Sequence, residues 1–307
     1  MRNWTRRYRK DGTGCRLKAQ RSSAARRPIR ETSVFAVLVL ALLPSLTLFG
    51  SAVNAADPPP VLIGKDGVRL LLIPAGKFRK GSTQAEIKAA AKLARRYHPY
   101  VRPEWFADET PPQKVLLPAF YMDETEVSIA TYLWKGNPPP DSSKRFELSP
   151  WTVRDGSVKG DASSWQIPVS NVSWKEAVSY CRRVGRRLPT SDEWEKAARG
   201  ADGRIFPWGN RFDPARMNSY EAGLRRAVPV GGYPSGASPY GVLDMAGNVW
   251  EWVADWYDPP SRKEDRRKVI RGGGWGYGGA FARAANLGSV WPRERHPSLG
   301  FRCAKDP

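Results

Sequence analysis

Glycine and proline recur so often in this sequence that long uninterrupted helices are excluded. The 307 residues include 28 glycines and 27 prolines, more than a helical bundle tolerates. Aromatic residues make up 11% of the chain, with 13 tryptophans, so apolar material for a core is present and disorder throughout is excluded. The length suits one large domain with additional segments. The sequence therefore predicts a loop-rich globular domain whose interior is built from aromatic rings.

Positive charge is concentrated at the N-terminus. The net charge is +20, but residues 1–31 hold 11 Lys and Arg against two acidic residues, which leaves +11 for the rest. A basic surface can contact an anionic polymer or a membrane. No nucleic-acid-binding motif accompanies the remaining charge, so we predict that nucleic acid is not a partner.

A stretch without any charge follows, residues 32–55. Its apolar run from Val34 to Phe49 contains Pro44 and is shorter than the roughly 20 residues that a membrane-spanning helix needs. Val53 and Ala55 fit the small residues before a signal-peptide cleavage site. We predict that residues 1–55 are a signal peptide with a long basic n-region, cleavage after Ala55 being favoured over a retained N-terminal anchor. The rest would be exported, to the periplasm or beyond, with attachment to the inner membrane as the alternative.

Residues 56–66 are predicted to be a linker that leads into a folded domain over residues 67–306. The run VRLLLIPAGKFRKGS from Val68 predicts two strands around a Pro/Gly turn, a hairpin-like opening. Residues 85–97 predict a surface helix with Ile87, Ala90, Ala91 and Ala94 on its apolar side.

Two further helices are predicted by their end signals. Ser173 followed by Glu176 three residues later is a capping box, and Thr190 and Ser191 open a helix that Gly200 stops. Neither helix needs a functional explanation.

The cysteine count bears on both stability and chemistry. Cys15 would leave with the signal, so the mature chain would hold Cys181 and Cys303 alone. Two thiols in an oxidising compartment usually pair, although two separate buried thiols remain an alternative.

Only two histidines are present, His98 and His296. This excludes a three-histidine iron site and an HExxH zinc site. Neither histidine lies near a serine elbow, so hydrolase chemistry has little support.

The strongest local constellation is DMAGNVWEW, residues 244–252. Asp244 and Glu251 offer hard carboxylate oxygens, and Gly247 allows backbone carbonyls to turn inward, which suits calcium. Helix or turn capping by the two acids explains the pattern equally well. Nearby tryptophans, including Trp250 and Trp275, are either core residues or a ligand groove.

Eight ordered blocks together resemble the formylglycine-generating enzyme family, also called sulfatase-modifying factors. They are LLIPAGKFRKGS, FYMDETEVSIATY, PVSNVSWKEAVSYC, RLPTSDEWEKAARG, FPWGN, YGVLDMAGNVWEWVADWY, VIRGGGW and LGFRC. The resemblance implies a single compact α+β domain of C-type-lectin-like type with little regular secondary structure.

The resemblance also implies specific ligands and a specific disulfide. Residues similar to the family's calcium ligands are Asp244 and Glu251 by side chain and Gly247 and Val249 by backbone carbonyl. A second family calcium site is matched only by Asn218 and the carbonyl of Ser219, because no counterpart of its downstream acidic ligand is found. Family cysteines similar to Cys181 and Cys303 form a disulfide.

The family's catalytic cysteines have no counterpart here. Oxidising members of the family use two cysteines to hold copper and to convert a cysteine of a sulfatase to formylglycine. In those members the two cysteines come just after the sequence Gly-Gly-Ser and an aromatic residue. Residues 276–285 contain no cysteine, and Gly274 stands where the family's serine would be. Copper(I) requires soft thiolate ligands. Copper and formylglycine generation by that chemistry are therefore not expected.

Two functions remain compatible with these residues. The first is a non-catalytic binding or assembly module that recognises a peptide, protein or glycan-like ligand with Trp250, Trp275, Tyr277 and Arg283. The second is a divergent periplasmic oxidoreductase or an enzyme that modifies a peptide or protein, with Tyr277, Arg283, Glu294 and His296 as candidate acid or base groups. We favour the binding module. Because one fold can carry many functions, the geometry of the site has to distinguish the two.

Overall fold

The computed structural model describes residues 60–133, 162–257 and 266–307. The chain divides into two units, Met1–Asn54 and Ala55–Pro307, and every described residue belongs to the second. The predicted signal segment therefore lies outside the described residues. Among the helices that are described, none has the length and apolar character to cross a membrane.

Ten short strands form three sheets within the described ranges. Their bounds are β1 Val61–Ile63, β2 Arg69–Ile73, β3 Gly76–Lys80, β4 Gln113–Leu117, β5 Phe120–Asp123, β6 Trp250–Trp256, β7 Lys268–Arg271, β8 Leu287–Val290, β9 Leu299–Phe301 and β10 Ala304–Lys305. The strand orders are β1-β2-β5-β10, β3-β4 and β8-β7-β6-β9. All described pairs are antiparallel except β6 with β9.

The helices are equally short. The α-helices are α1 Gln84–Ala94, α2 Ile129–Leu133, α3 Ala162–Trp165, α4 Trp174–Arg183 and α5 Ser191–Arg199. The 3-10 helices are Pro103–Glu109, Pro214–Arg216, Tyr220–Ala222, Pro234–Gly236 and Gly279–Ala282. Frequent glycine and proline thus keep every helix short, as the sequence predicts.

Capping boxes fix the start of α4 and α5. Ser173 accepts a hydrogen bond from the Glu176 amide while the Glu176 carboxylate accepts one from the Ser173 amide, and Thr190 with Glu193 does the same. Gly200 ends α5 with a positive φ. These starts and this stop are where the sequence places them. The buried side of α1 also consists of the predicted residues.

The predicted opening hairpin is wrong. β2 pairs with β1 and β5, whereas β3 pairs with β4 in a separate sheet. Pro74 and Ala75 separate β2 from β3, and Gly76, the first residue of β3, has a φ of 143°, a backbone conformation that turns the chain away from β2. The two strands exist, but the turn between them redirects the chain instead of folding it back.

Aromatic rings and arginines share the interior. Trp194 and Trp252 are fully buried, and so are Arg199, Arg271 and Arg302. Glu195 of α5 accepts hydrogen bonds from the Gly81 amide, from Arg199 and from Arg271. Because a buried charge is costly unless it is paired, this one carboxylate holds α5 against β7 and the end of β3.

One disulfide closes the domain. Cys181 on α4 is bonded to Cys303, between β9 and β10, across a sequence separation of 122 residues. Both residues are fully buried. The predicted disulfide is confirmed, and the alternative of two separate thiols is excluded.

Candidate functional site

A glycine-rich loop after β7 forms the centre of the candidate site. Gly272 and Gly273 both have positive φ, and a Cβ on Gly273 would lie 3.0 Å from the Phe281 carbonyl oxygen. The loop therefore folds tightly over the 3-10 helix Gly279–Ala282. The Trp275 amide donates to the Asn248 carbonyl at 2.8 Å, which joins this loop to the predicted calcium loop.

Trp250 and Tyr277 meet beside this loop. Their ring centroids are 5.5 Å apart in an edge-on arrangement, and Tyr277 also contacts Phe281. The indole nitrogens of Trp250 and Trp275 are buried and have no hydrogen-bond acceptor among the described residues. Three of the four predicted groove residues are thus gathered at one place.

Arg283, the fourth predicted groove residue, does not line a groove. It is 3% exposed, and its guanidinium donates to both oxygens of Glu109 at 2.6 and 2.8 Å. It also donates to the Ala280 carbonyl and lies over the Phe106 ring. Its partner is 174 residues away in sequence, so no local pattern could show that Arg283 serves a structural ion pair. The predicted ligand-binding or acid-base role of Arg283 is corrected accordingly.

His296 lies close to the loop through Ser298. Its Nδ1 is 2.8 Å from Ser298 Oγ and accepts a hydrogen bond from the Ser298 amide. A Cβ on Gly274 would lie 3.3 Å from the Ser298 Cβ. Burial lowers the pKa of His296, which keeps the imidazole neutral. The pairing of residues two apart is a local turn and not the separated nucleophile and base of a hydrolase.

Glu294 sits in the turn before His296. Its amide donates to the Trp291 carbonyl, and its side chain is half-buried. Of the other candidates, Arg283 is held in the buried ion pair with Glu109. The four predicted acid-base candidates are therefore not brought together as one catalytic group.

Four residues that the sequence reasoning missed border the loop. Tyr97 and Tyr220 have ring centroids 5.3 Å apart, and the Tyr220 amide donates to the Tyr277 carbonyl. The Arg225 guanidinium lies 3.5 Å from the Tyr220 ring centroid, and His98 contacts Phe281. The motifs RRYHPY and SYEAGLRR interleave rings with cations, which is the signal that could have found them.

The predicted calcium loop is rich in buried negative charge. Asp244 accepts from the Gly231 amide, and Glu251 accepts from Arg302 through both oxygens at 2.8 Å. Burial raises the pKa of Asp244 to about 6. Burial, with Asp244 and Glu251 nearby, raises the pKa of Glu126 well above its usual value. Three carboxylates thus face one guanidinium.

A cation at this loop would not be held by side chains alone. In the described part of the chain, no three His, Cys, Asp or Glu side chains are grouped so that they could hold a metal ion. A cation here would accordingly need backbone carbonyls beside Asp244 and Glu251, and the family resemblance implies those of Gly247 and Val249. Such mixed oxygen ligation is normal for calcium.

The doubtful second site offers fewer donors. The Asn218 Oδ1 atom is buried without a hydrogen-bond partner in the described residues, so one oxygen is available. The Ser219 carbonyl, however, accepts from the Ala222 amide. Glu221, nearby in sequence, accepts from the Gly279 amide and from Ser219 Oγ.

Comparison with known proteins decides the family. A sequence profile described as the sulfatase-modifying factor enzyme 1-like domain matches residues 63–307. The chain belongs to the sulfatase-modifying factor family. The match begins in β1 and runs to the last residue, so it includes every site residue discussed above.

One similar protein is named as an inactive member of the family, and the name of another states an enzymatic activity. The inactive C-alpha-formylglycine-generating enzyme 2 of Mus musculus is 35% identical over 212 residues, covering 60% of this chain and 68% of that protein. The formylglycine-generating enzyme of Streptomyces coelicolor is 29% identical over 317 residues, covering 83% of this chain and 95% of that protein.

Comparison with a solved structure confirms the fold of this chain. PvdO from Pseudomonas aeruginosa superposes with a TM-score of 0.59 at 23% identity, covering 82% of this chain and all of that one. At this identity the likeness concerns the fold alone. The prediction of a compact α+β domain of C-type-lectin-like type is confirmed.

Proposed function

We propose that this protein is an exported, calcium-stabilised, non-catalytic module that binds an extended peptide. The observation that carries the proposal is the state of its cysteines. Cys181 and Cys303 are bonded to each other and fully buried, and residues 276–285 contain no cysteine. Since copper(I) needs thiolate ligands, the oxidising chemistry of the family has no ligands at this loop.

One relative supports this proposal. A mouse relative that is 35% identical is named as an inactive formylglycine-generating enzyme. A family in which both active and inactive members occur can keep the fold and the binding surface after the reacting groups are lost.

The binding surface that we propose is formed by Trp250, Trp275 and Tyr277. Trp275 and Tyr277 are half-buried and reach the surface, and Trp250, which is 4% exposed, packs against Tyr277. Aromatic rings at the same place supply apolar contact at low entropic cost. An extended peptide offers side chains that can pack against these rings.

Calcium has a structural role in this proposal. Asp244, Glu251 and the carbonyls of Gly247 and Val249 would hold it, and the ion would offset the buried negative charge. The same loop supports Trp275 through the Asn248 carbonyl. Calcium binding would therefore hold the binding surface in place without any part in bond making.

Export is proposed from the N-terminal segment, residues 1–55. A disulfide between Cys181 and Cys303 is typical of proteins from oxidising compartments, which supports this proposal. Expression of the full chain with a reporter after residue 307 and fractionation of the cells would test it. Recovery of the reporter in the cytoplasm alone would contradict export.

The test of the binding function uses the full chain with three assays. We expect calcium but no copper by elemental analysis, and no oxygen uptake with a cysteine-containing sulfatase peptide. Extended peptides should change tryptophan fluorescence on binding. Tyr277→Leu should weaken that binding about tenfold, which is about 1.4 kcal/mol, whereas Tyr233→Leu, half-buried in another loop, is the matched control.

Peptide-dependent oxygen uptake, or retained copper, would contradict the proposal. The enzymatic alternative rests on one observation, the His296 and Ser298 pair next to Gly274. Mass spectrometry of peptides incubated with the full chain would reveal a product, and His296→Gln should abolish it if that alternative holds.

A further inference from the structure

The surface beside the glycine-rich loop includes three tyrosines that we call the tyrosine platform, Tyr97, Tyr220 and Tyr277. Tyr97 and Tyr220 are in ring contact, with an interplanar angle of 57°. The Tyr220 amide donates to the Tyr277 carbonyl, and a Cβ on Gly278 would lie 3.7 Å from the Tyr97 ring. The platform therefore continues the surface formed by Trp275 and Tyr277.

Arg225 is held on this platform with its donors exposed. Its guanidinium carbon lies 3.5 Å from the Tyr220 ring centroid. Its backbone has a φ of 56°, a conformation that a residue with a Cβ adopts only where surrounding structure requires it. Of the described residues, none forms an ion pair with it. A stacked, planar guanidinium is an oriented fork for a carboxylate.

The chain that carries Tyr97 adds only positive charge. Residues 88–102 contain no acidic residue, and their five basic residues are all exposed: Lys88, Lys92, Arg95, Arg96 and Arg102. The nearest carboxylate along the platform, Glu221, already accepts from the Gly279 amide and from Ser219 Oγ. The exposed charges of this segment and of Arg225 are therefore positive, which favours anionic ligands.

The ring geometry favours a peptide over a glycan. Arg225 covers one face of Tyr220, and Tyr277 meets both Trp250 and Phe281 in edge-on contacts. A sugar ring needs an open aromatic face, whereas apolar and carboxylate side chains pack well against tilted rings and a fixed guanidinium.

We propose that the tyrosine platform and Arg225 select an acidic peptide, with an Asp or Glu carboxylate bound by the Arg225 guanidinium and a neighbouring apolar side chain packed against the exposed edges of Tyr97 and Tyr220. This inference rests on the proposed peptide-binding function and specifies its ligand class. Arg225 is a ligand-contacting residue in it, and Tyr220 orients Arg225.

The test compares three labelled 12-residue peptides on the full chain. They share the same apolar positions and carry four Glu, four Gln or four Lys at the others; oligogalacturonate is a fourth probe. In about 50 mM salt the Glu peptide should bind at least about tenfold tighter than the Gln peptide. The difference should shrink in about 500 mM salt because exposed charges are screened.

Variants at Arg225 and at a control arginine test whether Arg225 causes the preference for the Glu peptide. Arg225→Gln should weaken binding of the Glu peptide about five- to tenfold and leave binding of the Gln peptide unchanged. Arg225→Gly, which accepts the positive φ, should do the same and so excludes a folding defect. Arg182→Gln, an exposed arginine on α4, removes the same charge and should change neither affinity.

Each of the remaining outcomes of these binding experiments contradicts one part of the proposal. Equal binding of Glu and Gln peptides overturns the acidic preference while the peptide-binding function stands. Equal losses in Arg225→Gln and Arg182→Gln overturn the role of Arg225. Binding of oligogalacturonate without any peptide, or of no probe at all, overturns the peptide-binding function itself.

Discussion

At the scale of single residues, Gly247 shows how closely the predicted calcium loop is constrained. Its φ is 83°, and a Cβ there would clash with the Asn218 carbonyl oxygen. That carbonyl accepts a hydrogen bond from the Asn248 amide at 2.8 Å. Two loops distant in sequence thus touch through their backbones at this point, and the Asn218 side-chain amide also donates to Asn248 Oδ1. Only glycine satisfies both the dihedral angle and the close approach.

Gly247→Ala should destabilise the protein by about 3 kcal/mol. The left-handed conformation costs about 1–2 kcal/mol with a Cβ, and overpacking adds about 1–3 kcal/mol. Urea unfolding in the presence of a calcium chelator measures the difference without a contribution from the ion. Gly223→Ala is the control, because Gly223 has a φ of 74° and a Cβ added there would meet nothing within 4 Å. Equal losses in both variants would show that the Asn218 contact is unimportant.

The ionisation of Asp123 makes the stability of the folded protein depend on pH. Burial raises its pKa to about 6, from an ordinary value of 3.8, although Arg186 and the Cys303 amide act in the opposite direction. Asp66 and Arg186 are the charged groups that face it. A raised pKa in the folded state means that the stability contribution is present below pH 3.8 and is lost as pH rises through about 6.

Asp123→Asn should remove this dependence. Between about pH 4 and pH 7 the wild type should lose up to about 3 kcal/mol relative to the variant, since one pKa unit corresponds to about 1.36 kcal/mol. Unfolding free energies of both proteins, measured across that range, give the difference. A difference that rises with pH, in favour of the wild type, would reverse the sign of the argument.

At the scale of elements, the segment from α1 to the 3-10 helix Pro103–Glu109 packs against the 3-10 helix Gly279–Ala282. The shared apolar cluster includes Ile87, Val101, Phe106 and Ala280. The Arg283 and Glu109 pair joins the same two parts of the chain at 2.6 Å. This pairing positions Tyr97 next to the glycine-rich loop. An element with no sequence signal of function therefore determines the shape of the candidate site.

Arg283→Met should destabilise the protein by about 3–5 kcal/mol, because it leaves Glu109 buried without its partner. The double variant Arg283→Met with Glu109→Met should recover much of that loss, since no unpaired charge remains. Thermal or urea unfolding of the three proteins completes the cycle. Arg293→Met, at an exposed position, should stay within about 0.5 kcal/mol of the wild type. A double variant as unstable as Arg283→Met would contradict the account.

Local signals predict these elements better than they predict how elements meet. The capping boxes at Ser173 and Thr190 depend on residues three apart, so the sequence shows them directly. The strands β2 and β3 are also visible, but their partners are chosen by distant segments, which is why the hairpin prediction is wrong. The roles of Arg283 and Arg302 depend on Glu109 and Glu251, 174 and 51 residues away. The two motifs of the platform, RRYHPY and SYEAGLRR, are visible locally, but only the fold brings Tyr97 and Tyr220 together.

At the scale of the whole molecule, sheets and helices are joined by a few directional contacts. The disulfide ties α4 to the C-terminal strands, and Arg302 beside it pairs with Glu251 of β6. The family match, from residue 63 to residue 307, includes both ends of this arrangement. Because each element is too short to be stable alone, the domain should unfold cooperatively.

Replacing both Cys181 and Cys303 by alanine should cost up to about 4–5 kcal/mol, the loop-entropy figure for a closed loop of this length. Denaturant unfolding of the double variant and the wild type measures it. Reductant without denaturant should leave the wild type oxidised, because both residues are fully buried. A loss below about 1 kcal/mol would show that the folded contacts alone hold the C-terminal strands.

The open surroundings of Gly276 give the glycine-rich loop a practical use. Nothing lies within 4 Å of the position where its Cβ would be, and its φ is ordinary. Both described cysteines are occupied by the disulfide. With Cys15 replaced by serine, Gly276→Cys would give the chain a single reactive thiol one residue from Tyr277. A dye attached there would act as a fluorescent reporter of any molecule that approaches the tyrosine platform.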